Sequence, residues 1–264
     1  MVPTPHNTSL ALLLPILCSG LANILLGTSS LYWKALGNIP PITLLSYRVV
    51  LSAITLSAFI LLCRNTHAIK HLPPKLIRLH CMASLFIAIN WGAFIWSSIN
   101  GHILESGLGY LLAPFISIAL GAIIYNESIS RTRALSTLAA FTGVALLIAF
   151  TPHLNHWVYL TIALSWGAYT YLKKSTVLDA VNGLCVETLF LTVCMALAIS
   201  LLKLPIMAPN EFSAGPNQLI WLAGGVSAIP LLMFSYATGK IPLSITGFLQ
   251  FTLPLTLIAI SVVT

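Results

Sequence analysis

The sequence predicts an all-α membrane protein, two inverted five-helix repeats with about nine of an expected ten transmembrane helices. Three observations carry that prediction. The 264-residue chain is 58% apolar and 6% charged, with a mean hydropathy of +0.97, too few charges to cover a water-facing surface. Apolar runs near twenty residues recur along it, each long enough for a ~30 Å hydrocarbon core at ~1.5 Å rise per residue. Finally, the stretch INGHILESGLGYLLAP at 99–114 returns at 239–254 as GKIPLSITGFLQFTLP, 140 residues on. Gly107 then falls on Gly247, Leu108 on Phe248, Tyr110 on Gln250 and Pro114 on Pro254.

In order, the apolar runs predict helices over 9–31, 42–62, 79–99, 103–124, 134–150, 157–173, 184–202, 218–238 and 244–263. The backbone must satisfy its own hydrogen bonds in lipid, which leaves helices or a closed barrel. The alternating pattern of barrel strands is absent. The first run follows MVPTPHNTS, which has no cationic n-region, and reads as a retained helix. The five cysteines (Cys18, Cys63, Cys81, Cys185, Cys194) lie mostly within apolar runs without a CxxC pair. They read as small apolar fillers, and neither a metal nor a cofactor is expected.

Orientation follows from Lys and Arg between the runs. Connections on the N-terminal side, 63–78, 125–133, 173–183 and 239–243, hold nine, against Lys34 and Lys203 opposite. That asymmetry places the N-terminus in the cytoplasm, and it explains the net charge of +7 without a nucleic-acid partner. The basic 63–78 loop is expected to lie along the cytoplasmic lipid surface. An offset of 140 residues spans five helices, an odd number, so the second half enters the membrane from the opposite side. The halves are 1–150 and 151–264. A second match supports them: Lys34 precedes Arg48 by fourteen residues, as Lys173 precedes Glu187. The same arithmetic expects a tenth helix after Thr264, equivalent to 134–150.

The stretches LYWKALGNIPPITLLSYR, NWGAFIWSSINGHILESGLGYLLAPFISIALGAIIYNESIS, WGAYTYLKK, GLCVETLF and SAIPLLMFSYATGKIPLSITGFLQFTLP span most of the chain. Together they resemble the RarD-type (chloramphenicol-sensitive protein) branch of the drug/metabolite transporter superfamily, with its paired EamA repeats. The resemblance implies a multi-pass permease of the bacterial inner membrane with cytoplasmic termini. It also implies a central cavity between repeats and transport of a small metabolite or drug.

Polar groups at membrane depth are the candidate pathway residues. Arg48 lies ~10 Å below the outer interface at helical rise; a central charge costs about 2.5–3.5 kcal/mol, so it faces a cavity or snorkels. Glu187 lies about four residues into its helix and reads as a proton carrier or a structural hydrogen-bond partner. The depths of Arg48 and Glu187 argue against their pairing. Asn90, Ser97 and Asn100 share a helix face, with Trp91 and Trp96 beside them. Asn90 is the deeper cavity candidate, while Trp96 equally suits an interfacial belt. His102 and Glu105 form either a proton entrance at the outer mouth or a solvated helix cap. Tyr110 and Gln250 each precede a proline by four residues, so Pro114 and Pro254 are expected to kink two related helices around a midplane site. Close packing through Gly107, Gly109 and Gly247 is compatible with that site.

No HExxH, GxSxG or paired-aspartate cluster appears, and GKIPLS lacks P-loop glycines, so neither an enzyme nor a nucleotide-driven pump is predicted. The expected function is secondary transport of a small solute by alternating access, with protons as a candidate coupling ion. The rival readings are a non-transporting scaffold or channel subunit and an inactive truncated copy.

Overall fold

The structure, a computed structural model, describes residues 5–62, 72–212 and 215–263. Arg64, Lys70 and most of the basic loop fall outside those residues. α1 (Pro5–Ala35) and α2 (Pro41–Leu62) are joined by a short turn, and α2 opens on a proline whose missing N–H has no helical partner to lose. α3 (Pro74–Ile99) starts five residues before the predicted 79 for the same reason. The Pro-Pro pair begins this helix, which takes Lys75 and Arg78 out of the loop. α4 (Ile103–Ile124) follows a tight turn at Gly101, whose φ of 79° lies in the left-handed region.

α5 (Arg131–Phe150) starts where Ser130 accepts from the Arg133 N–H at 3.4 Å. α6 (His156–Ser175) leads into α7 (Ala180–Leu202), which Asp179 caps by accepting from Val181 and Asn182. A 3₁₀ turn (Gly215–Leu222) precedes α8 (Ala223–Lys240).

The last predicted helix is broken. α9 (Leu243–Gln250) ends and α10 (Thr252–Val263) begins around Phe251. Pro254 has no N–H for the Gln250 carbonyl, so the ladder fails one turn ahead of the proline. Pro114 removes the equivalent bond to Tyr110, yet α4 runs helical through it. Of the two prolines expected to kink their helices, Pro254 lies beside an interruption and Pro114 lies within a continuous helix.

Among the described residues, eight helical stretches are long and apolar enough to cross a membrane, the last running through the break from Leu243 to Ile260. α6, predicted as a span over 157–173, falls outside that set. Its polar Ser165, Thr170 and Lys173 are buried with Trp166 and Tyr169, because α6 packs between α3 and α4. Neighbouring helices cover this polar face, while Trp157, Leu160 and Leu164 of the same helix stay exposed.

The other helices build around this centre. α1 packs on α8, α2 on α7 and α8, and α9 on α4. Close contacts demand glycine at several of these crossings. A Cβ on Gly224 would lie 2.6 Å from the Leu51 carbonyl oxygen, and one on Gly247 would lie 2.8 Å from Ile118 Cγ1 and 3.0 Å from the Pro114 oxygen. Gly109 is equally tight against Ile162, whereas Gly107 has nothing within 4 Å. α5 sits apart: 6% of its span window is buried, against 50% for α3, α4 and α8, and its packing is chiefly on α4. Large apolar side chains such as Leu62, Ile123, Phe150 and Leu201 stay exposed around the outside, the arrangement of a bundle that meets lipid.

Candidate functional site

Arg48 reaches the bundle interior from the first half of α2 and is 2% exposed. Snorkelling is ruled out by that burial. Its guanidinium lies between two indoles, Cζ being 4.0 Å from the Trp91 ring centre and 4.9 Å from that of Trp33. Both distances are within cation–π range. Beside it, Tyr110 donates to Asn90 Oδ1 at 2.8 Å, and Asn90 Nδ2 donates to the Ile162 carbonyl and Ser165 Oγ, both at 3.2 Å. Arg48, Asn90, Trp91 and Tyr110 share a cavity with Ser29, Trp166 and Leu253. Its volume is about 10 Å³, roughly what one water occupies. Helices from both predicted halves supply the walls.

Glu187 belongs to a different cluster. It is fully buried, and its Oε1 meets Lys173 Nζ at 2.9 Å and His80 Nδ1 at 2.7 Å. Tyr169 donates to Oε2 at 3.3 Å, and His80 Nε2 contacts Thr176 Oγ1 at 2.9 Å. As the depth argument required, Glu187 does not pair with Arg48. Lys173, counted above among loop cations, is 2% exposed and held inside by this carboxylate. The orientation count falls to eight against two, still asymmetric. A fourteen-residue spacing thus yields an ion pair in the second half only, since Lys34 is exposed at the end of α1.

The remaining predicted positions separate from both clusters. Gln250 accepts from Ser117 and donates to Thr170, both at 3.0 Å, tying α9 to α4 and α6. It does not join Tyr110 at the cavity. Ser97 is buried, but Asn100, predicted on the same face as Asn90, is exposed and folds back onto the Trp96 carbonyl. Trp96 stacks on His102 at 5.1 Å and meets Trp157 at 4.8 Å. His102 bonds Glu105 at 3.1 Å, and Glu105 also accepts from the Asn155 N–H at 3.4 Å. With 7% exposure, Glu105 is a buried tie between α4 and the start of α6, not a solvated cap.

His80, Lys173, Trp33, Trp166 and Glu127 were not predicted. Positions 166, 169, 170 and 173 recur at helical spacing and mark one face of α6, so Lys173 and Trp166 had a readable signal. Glu127 follows α4 and accepts from the Leu243 N–H at 2.7 Å and the Ser244 N–H at 2.8 Å, capping α9. Lys174 donates to the Ile241 carbonyl at 2.7 Å beside it. Partial burial pushes the Glu127 carboxyl up, but the Ser244 and Leu243 hydrogen bonds and the Lys174 charge outweigh it and hold the group below the ordinary carboxylate range.

The sequence between residues 13 and 149 matches the EamA-like transporter family model. The chain belongs to that family. Protein RarD of Streptomyces exfoliatus is 32% identical over 86% of this chain and 73% of its own length. Protein RarD of Escherichia coli (strain K12) is 31% identical over 86% and 78%. An uncharacterized transporter of Bacillus subtilis, YojE, is 30% identical over 90% and 81%. A solved crystal structure shares the fold, with a TM-score of 0.66 at 20% identity over 94% of this chain and 89% of its own. The chain is thus a multi-pass EamA-family membrane protein of RarD type.

Proposed function

We propose that this EamA-family protein is a secondary transporter of the bacterial inner membrane. It moves a small solute by alternating access between two inverted halves, 1–150 and 151–264. The observation that carries the reading is the small cavity around Arg48, Asn90 and Tyr110, walled by residues of α1–α4 and of α6 and α10. Substrate sites at repeat interfaces near the midplane are the general arrangement of inverted-repeat carriers. At about 10 Å³, the cavity is too small for a solute, so binding requires the halves to part.

An asymmetry between the halves supports alternation. Gly247 is pressed onto Pro114 and Ile118, whereas its equivalent, Gly107, borders an open cleft of about 280 Å³ shared with Leu257 and Ile258. Exchange of those two contacts is the motion that inverted halves permit.

Proton coupling is assigned to Glu187. A buried carboxylate held by an ammonium, an imidazole and a phenol exchanges partners when it takes up a proton, and that exchange changes the packing of α3, α6 and α7. Solute flux in proteoliposomes under an imposed pH gradient tests the assignment. Gradient-driven flux that Glu187→Gln abolishes is expected; flux that ignores the gradient and is unimpaired by the substitution removes protons from the account.

A further inference from the structure

Resting on the transport reading, we infer that the Arg48 site takes an anionic solute group, specifically an organic carboxylate. The argument begins with charge. Arg48 is buried, permanently cationic and without a counterion: none of the salt bridges among the described residues includes it. The chain has five acidic residues, and all of them are engaged elsewhere. Glu105 binds His102 and the Asn155 backbone, and Glu187 binds Lys173 and His80. Glu127 caps α9, Asp179 caps α7, and Glu211 accepts from the Ala208 N–H. Two indole faces offset part of the cost of burying a cation and supply no negative charge.

Hydrogen bonding points the same way. Arg48 Nε and Nη1 are buried without partners, as is the indole N–H of Trp166, another wall of the cavity. Of the wall's other polar groups, Asn90 Oδ1 already receives the Tyr110 hydroxyl, and Ser29 gives its proton to the Leu26 carbonyl at 2.6 Å. The cavity therefore presents spare donors around a fixed positive charge. Such a surface is complementary to a carboxylate, whose two oxygens match a guanidinium edge in a bidentate pair. A neutral amide brings donors of its own and no charge. An ammonium is repelled.

Trp33 and Trp91 flank the guanidinium, so their emission reports on it. The test is a titration of the full purified chain in detergent, read by tryptophan fluorescence and by thermal midpoint. The probes are monocarboxylates from acetate through phenylacetate, their amides, chloride and inorganic phosphate. At least one carboxylate is expected to bind at least tenfold more tightly than its amide, the size of one charge-assisted contact. Arg48→Lys should lose about tenfold and Arg48→Gln all detectable binding. The carboxylate–amide comparison needs only the native protein, so it stands even if a variant fails to fold. Equal binding of acid and amide overturns the inference, as does binding by chloride or phosphate alone, or by no carboxylate at all. Flux of neutral or cationic solutes without any of anions would sink this assignment and leave transport standing, whereas absence of all flux sinks the transport reading itself.

Discussion

Glu187 is the residue whose surroundings are most demanding. Its carboxylate balances a buried ammonium, and removing it strands Lys173 without a counter-charge. Glu187→Gln should cost about 3–5 kcal/mol. The double substitution Glu187→Leu with Lys173→Met should cost less, because no charge remains to be stranded. Thermal unfolding in detergent checks the order, and a single variant as stable as the double contradicts it. Tyr110→Phe is the gentle counterpart: it frees Asn90 Oδ1 and should cost about 0.6 kcal/mol, the usual value of a transmembrane hydrogen bond. Arg48, Asn90 and Tyr110 were legible in the sequence as polar interruptions of apolar runs. Lys173 had only its helical spacing with Trp166, Tyr169 and Thr170 to mark it, and His80 had no signal, since each lies near the edge of a run, where cations ordinarily meet headgroups. Only the fold reveals that α6 carries Lys173 inward.

At the scale of elements, the α4–α9 crossing is held at one end by Glu127 and in its middle by Gly247. Glu127→Gln weakens an N-terminal cap and should cost about 1 kcal/mol. Because the folded carboxyl sits below its ordinary 4.5, its contribution is complete above that value and is lost as pH falls through the lower folded pKa. The native thermal midpoint should therefore drop on acidification in that range, with a smaller drop in Glu127→Gln. Equal slopes would show that Glu127 contributes nothing. Gly247→Ala pushes a methyl into Ile118 and Pro114 and should cost about 1–3 kcal/mol, whereas Gly107→Ala meets open space and should leave the midpoint unchanged. If both contacts alternate during transport, Gly107→Ala nevertheless slows flux. The break between α9 and α10 was half legible: a kink was expected at Pro254 and equally at Pro114, and only the former coincides with an interruption of the helix.

Across the whole molecule, composition alone indicated a helical membrane bundle, because so few charges leave no other way to cover the surface. The unequal burial of its helices was beyond reach of hydropathy, which rates peripheral α5 as a better span than central α6. The proposed site follows that inversion, since a carrier concentrates its polar groups where lipid is excluded. The central claim is that the cavity at Ser29, Arg48 and Asn90 opens to each side of the membrane in turn. Ser29→Cys, placed in a chain with its native cysteines replaced, tests it by labelling oriented vesicles with a membrane-impermeant thiol reagent. Labelling from either face, at rates that change in opposite directions when solute is added to one side, is the predicted result. A thiol protected from both faces, or reached from one face only under every condition, would contradict the account.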